Sequence, residues 1–215
     1  NKAIKNPVLR AKLTPDYPLG CKRILISNEY YETLARPNVD VVTDNIAEVT
    51  ATGIRTKDGQ EHPVDAIIYG TGFQATDFLA PMKITGRGGV DLNQVWRDGA
   101  EAYLGMTVSG FPNLFLLYGP NTNLGHNSIV YMLESQFSYI LDVVKTLQQR
   151  DLRFVDVRSQ VQGVYNRWVQ KQIQNTIWDA GCTSWYKTAS GKNTNNWPGF
   201  TLVYRYKTRH FDSQD

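Results

Sequence analysis

The stretch Gly119-Pro120-Asn121-Thr122-Asn123-Leu124-Gly125-His126-Asn127-Ser128 is a polar, glycine-flanked loop that joins an apolar run to a long amphipathic segment. Strand-to-helix loops of this kind hold ligands in α/β proteins, because the first turn of a helix has N–H donors without intrahelical partners. The same residues also suit a purely structural purpose, with Asn127 or Ser128 capping the helix and His126 lying on the surface. A second glycine turn, Gly70-Thr71-Gly72-Phe73-Gln74-Ala75, has the G-x-G-x-x-A spacing of a dinucleotide fingerprint after a β-type run. No long amphipathic helix follows it, so it reads as a turn that brushes a cofactor and not as the primary phosphate cradle. Taken alone, Lys22 and Arg23 leave open a purely structural reading as a solvated basic pair. No G-x-S-x-G elbow is present, and three scattered histidines offer no metal cluster. Cys21 and Cys182 lie far apart and read as buried free thiols.

These residues must be positioned by the elements around them. Residues 1–23 read as a basic, proline-punctuated loop, and 28–34 as a short helix capped by Asn28 or Ser27. Runs at 39–43, 46–50 and 53–56 are short β-branched strands, with a hairpin signal at Asp58-Gly59. Asp65 to Tyr69 and Asn113 to Tyr118 are apolar enough for strands buried on both faces. Between 81 and 110 lies loop with short elements. Residues 127–149 repeat apolar side chains with a period near 3.6, the strongest helix signal in the chain. A second helix is expected within 157–178, then a Gly/Asn-rich loop over 182–198, then an alternating strand at 200–206.

Composition limits the function classes. The 215 residues are 41% hydrophobic and 20% charged, an ordinary globular profile that rules out disorder and collagen-like repeats. A net charge of +3 is too small to argue for nucleic acid. The longest apolar run, Leu114 to Tyr118, is far short of the roughly 20 residues of a membrane span. With no signal-peptide pattern at Asn1, the expectation is a cytoplasmic protein, and the start reads like a segment cut from something longer. Trp168, Trp178, Trp185-Tyr186 and Trp197 either line a flat-ring pocket or pack the core.

Taken jointly, several stretches resemble the C-terminal half of flavin-dependent monooxygenases of the Baeyer-Villiger type. They are Tyr17 to Arg23, Tyr30-Tyr31 with Arg36 to Val39, Asp65 to Phe73, Tyr103 to Gly105, Gly110 to Phe115, Gly119 to Asn121, Gly125-His126, Glu134 to Gln136, Ser184 to Tyr186, and Trp197 to Gly199. The resemblance implies an α/β chain, a partial FAD/NAD(P)-binding two-dinucleotide-domain fold lacking the N-terminal FAD-binding βαβ unit. Residues 1–73 would end the NADP-binding domain, with its hairpin sheet, and 74–215 would form the C-terminal part of the FAD-binding domain.

The implied cofactors are FAD and NADP. In the parent enzyme, NADPH and O2 would oxygenate a ketone through a flavin C4a-peroxide, and the partners would be a small organic substrate, O2 and the missing N-terminal half. The resemblance implies Arg23 as the catalytic guanidinium that holds nicotinamide and steadies developing negative charge. Lys22 would contact NADP, and Trp185 would cover it. Gly72 and Phe73 match a hinge between domains, while Gly119, Pro120, Asn121 and His126 would run along the flavin ring. The common family version carries an Asp shortly after the Lys-Arg pair, where this chain reads Ile24 to Asn28. An N- or S-oxygenating flavoprotein is therefore the alternative, and a non-catalytic association module a further one. Without the first βαβ unit, the isolated segment is expected to be inactive.

Overall fold

The computed structural model describes residues 3–125 and 127–214. Two compact units divide the chain: one takes 1–16 and 24–73, the other 17–23 and 74–215.

In the first unit, helix α1 (Pro7–Leu13) corrects the reading of residues 1–23 as loop. Asn6 Oδ1 accepts from the N–H groups of Val8 and Leu9, and Pro7 stands at the first helical position, where its missing N–H costs nothing. Helix α2 (Tyr30–Leu34) begins where Ser27 Oγ accepts from Glu29 and Tyr30 N–H. Strands β1 (Ile46–Val49), β2 (Gly53–Thr56) and β3 (Glu61–Pro63) form an antiparallel sheet in that order. The β2–β3 turn uses Gly59 at φ +87°, a left-handed conformation that glycine adopts without a Cβ clash. Gly53 is equally constrained, since a Cβ there would strike the His62 carbonyl.

The run at 39–43 forms no strand. Residues 65–69 also correct the sequence reading: they form no strand, and Ile68 is 96% exposed. An apolar strand buried on both faces needs neighbours on both edges to take its N–H and C=O groups, and the described residues offer it none.

The α-helices of the second unit are α3 (Leu92–Val95), α4 (Ile129–Gln149), α5 (Ser159–Ile173) and α6 (Thr201–Lys207), joined by long loops. Its larger core joins Met132, Tyr139 and Val143 of α4 to Tyr165, Val169 and Ile173 of α5, with Trp197 and Tyr204 between. The spacing of these residues places each set on one helix face. A smaller core gathers Leu92, Trp96, Val108, Phe111 and Leu116.

Helix α6 overturns the expected strand at 200–206. Thr201, Tyr204 and Thr208 are buried at helical spacing, while Leu202 and Tyr206 are exposed. The alternation of β-prone residues misled because the burial of Tyr204 against Trp197 sets the period. Residues 113–118 likewise form no strand; Leu116 is buried, and Leu117 and Tyr118 are partly exposed beside it. Cys21 and Cys182 are not free thiols: they form a disulfide with 6.4 Å between their Cα atoms. Spacing in sequence carries no information on a contact this distant. Among the described residues, no helix is long and apolar enough to cross a membrane, and no group of acidic, His and Cys side chains could hold a metal.

Candidate functional site

The loop 119–124 is buried throughout, and its path is set by close backbone approach. A Cβ on Gly119 would strike the Gly105 carbonyl oxygen, so only glycine passes here. Asn121 adopts a left-handed φ of 57°, a conformation that asparagine tolerates better than most residues. Thr122 Oγ1 donates to the Gly119 carbonyl at 2.7 Å and tightens the turn. The chain then enters α4, where Ser128 caps by accepting from Tyr131 N–H. The N–H groups ahead of Tyr131 have no intrahelical acceptor, which makes this helix start electropositive.

A second loop clasps the first. Asn121 N–H donates to the Thr194 carbonyl at 2.8 Å, and Asn123 N–H donates to the Asn195 carbonyl at 2.9 Å. Asn121 Nδ2 reaches the Asn193 and Asn196 carbonyls, and Trp197 N–H returns to the Asn123 carbonyl. Asn193 to Asn196 are all buried. Asn121 Oδ1 and Asn123 Nδ2 remain buried without a hydrogen-bond partner among the described residues. Beneath the clasp, Tyr118 N–H donates to Gln136 Oε1, Gln136 Nε2 donates to the Tyr204 hydroxyl, and that hydroxyl donates to the Leu104 carbonyl.

Arg23 is brought to this loop from the other end of the chain. Its side chain is exposed, yet Nη1 donates to the Leu124 carbonyl at 3.1 Å. Two phenols share its field. Burial raises the Tyr186 phenol above its ordinary range, with the Arg23 guanidinium opposing, and the same pair of causes acts on Tyr118. Tyr118 donates to Asn123 Oδ1 at 2.7 Å. Trp185 is half exposed, with its ring 4.7 Å from that of Tyr186. A cation, two neutral phenols and an electropositive helix start can therefore bind a flat, anionic or electron-rich group and stabilise negative charge developing on it.

Of the residues singled out in the sequence, Arg23, Gly119, Pro120, Asn121 and Trp185 lie on or beside this arrangement. Lys22 places Nζ 4.1 Å above the Tyr17 ring. Gly72, at φ +85°, and Phe73, 96% exposed, belong to the first unit. His126 lies outside the described residues. Sequence reasoning missed Tyr118 and the Asn193–Asn196 clasp, for which the available signal was the density of asparagine in 193–196; Leu124 and Tyr186 it named within the polar loop and among the aromatic residues, without a role of their own. A cavity of about 380 Å³ elsewhere in the second unit, lined by Phe111, Tyr139, Val143 and Phe211, includes none of the expected residues.

No family model matches the chain. Solved structures do: a closed form of cyclohexanone monooxygenase superposes with a TM-score of 0.84 at 30% identity, over 96% of this chain and 40% of that one. The enzyme OTEMO, in complex with FAD and NADP, superposes with a TM-score of 0.87 at 29% identity, over 97% and 40%. The fold is thus that of one part of the flavoprotein monooxygenases. A Baeyer-Villiger monooxygenase of Pseudomonas aeruginosa is 51% identical over 215 residues, 99% of this chain, and one of Streptomyces coelicolor is 46% identical over 98% of it. The chain is homologous to a part of the Baeyer-Villiger monooxygenases, and it spans 41% of the length of each of these relatives.

Proposed function

We propose that this chain supplies the cofactor clasp and the catalytic cation of a Baeyer-Villiger monooxygenase that uses FAD, NADPH and O2. The overall reaction converts a ketone, O2, NADPH and a proton into an ester, NADP and water, one oxygen atom entering the ester. Bound flavin would take hydride from NADPH and deliver the oxygen. The residues present fit such a group. The α4 start brings N–H donors of a helix N-terminus to the loop, buried Asn121 and Asn123 keep polar atoms unused among the described residues, and Gly119 holds the loop backbone where no side chain intervenes.

The observation that carries the reading is the Arg23 bond to Leu124. It aims a permanently charged, planar donor at the loop that opens α4, where it would orient the nicotinamide and counter negative charge on oxygen as the ketone is attacked. Lys22 would approach the NADP phosphate side and Trp185 would cover the nicotinamide. Gly72 and Phe73 would act as a hinge. In the full-length protein, Arg23→Ala tests the reading: it should retain FAD and lose ester formation from a cyclic ketone by about 100- to 1,000-fold. Unchanged ester formation would overturn it.

A further inference from the structure

Residues 17–23 group with the second unit although the chain on both sides groups with the first. Among the described residues, few hydrogen bonds leave this short segment. The Cys21 N–H to Pro18 carbonyl bond and the Lys22 contact with Tyr17 are internal to it. Gly20 passes Ile177, and Arg23 makes the polar anchor to Leu124. The Arg23 side chain is exposed, so its bonds to the Leu124 carbonyl and the Tyr186 hydroxyl exchange readily with water and by themselves define its position weakly. The covalent tie is the Cys21–Cys182 disulfide. Cys21 is fully buried, and Cys182 lies in a loop whose Tyr186, 1% exposed, is locked into the unit. The bridge therefore fixes a weakly held segment, two residues before Arg23, to a rigid wall beside Trp185 and Tyr186.

We propose that this disulfide is a thiol-responsive positioning lock for Arg23, holding the guanidinium at the Leu124 carbonyl when oxidised and releasing it when reduced. The functional weight of the lock rests on the reading of Arg23 given above, but its test uses neither flavin nor turnover. Cys182, at 9% exposure, is the less buried of the two cysteines, Cys21 being at 0%, and so is the side from which a small dithiol would attack. A thiolate of the dithiol attacks Cys182 Sγ, the Cys21 thiolate leaves and takes a proton, and the second dithiol sulfur displaces Cys182. The S–S bond breaks, two electrons and two protons pass to the protein sulfurs, and the dithiol becomes a cyclic disulfide.

The test uses the 215-residue chain purified in air. Alkylation with iodoacetamide in denaturant should add nothing by mass before dithiothreitol, and two groups after it. Labelling of the native protein by phenylglyoxal, mapped by peptide mass, should rise at least fivefold at Arg23 on reduction. Arg97, paired with exposed Asp98, should not change. Cys21→Ser and Cys182→Ser should label like the reduced protein and ignore dithiothreitol; if either fails to fold, reduction of the native chain decides alone. Two alkylatable thiols in the air-purified protein would overturn the proposal. So would an Arg23 rate indifferent to reduction, or a rise shared equally by Arg97, which would mean general loosening. A normal Arg23→Ala ester yield would instead remove the functional reading and leave these outcomes standing.

Discussion

Arg23 and Leu124, separated by 101 positions in the chain, meet through a single hydrogen bond from Nη1 to the main-chain carbonyl at 3.1 Å. Because the acceptor is main chain, no substitution of the Leu124 side chain removes it, and the specificity of the contact lies in the guanidinium. Arg23→Lys should therefore restore little of what Arg23→Ala loses. A lysine is a point charge and cannot offer the planar fork to the carbonyl and a ligand together. Stopped-flow flavin spectra with product assays on both full-length variants check this, and full activity in the lysine protein would refute it.

The isolated 215-residue chain should purify colourless and leave NADPH unoxidised. The sheet of the described residues is a three-stranded antiparallel one, without a strand-glycine-helix unit to hold a pyrophosphate. Flavin absorbance after gel filtration is the measurement. A stoichiometric yellow complex would mean that the loop 119–124 and the α4 start suffice.

Gly119→Ala should destabilise the chain by about 2 kcal/mol or more, because the new Cβ meets the Gly105 carbonyl, a main-chain atom that cannot swing aside. Gly125→Ala, whose Cβ would sit 3.6 Å from Trp178 Cζ2 in ordinary contact, should cost far less. Urea midpoints of the two variants give the comparison.

Tyr165 and Tyr204 are both buried phenols but should respond oppositely to Phe. Tyr204 accepts from Gln136 and donates to Leu104, so Tyr204→Phe should cost about 2 kcal/mol. The Tyr165 hydroxyl is buried without a partner among the described residues, so Tyr165→Phe should stabilise by about 1 kcal/mol. Chemical denaturation at pH 7 separates the signs.

Alkaline pH should weaken the fold through the same two residues. Burial raises both phenols above the ordinary value of 10, so the folded state keeps protons that the unfolded chain releases. Their contribution is complete below about pH 10 and falls as pH rises from there toward the folded-state values, since the unfolded state then binds fewer protons. Denaturation midpoints should be level from about pH 8 to 9.5 and decline above 10, with a shallower decline in Tyr165→Phe. An identical slope in that variant would show that the Tyr165 phenol does not contribute.

What the sequence determined by itself were the features governed by near neighbours. The α4 period, the Asp58-Gly59 turn and the Ser128 cap are local, because each depends on residues within a few positions. The glycine-bounded loop at 119–125 was legible for the same reason. Even so, the Asn6-Pro7 start of α1 is just as local and was passed over among basic residues. Tertiary structure decided the rest. Residues 65–69 and 113–118 have strand composition, but a strand exists only when another segment takes its hydrogen bonds in a regular ladder; 113–118 finds only scattered acceptors at Val155, Met106 and Gln136, and neither run joins a sheet among the described residues. Residues 200–206 became helix because Tyr204 is buried against Trp197, with its hydroxyl bonded to Leu104 and Gln136. The joining of Arg23 to Leu124, Cys21 to Cys182 and Asn121 to Asn193–Asn196 lay outside local reach altogether. Contacts across such distances in the chain arise from packing of whole elements, and no periodicity or spacing in one dimension encodes them.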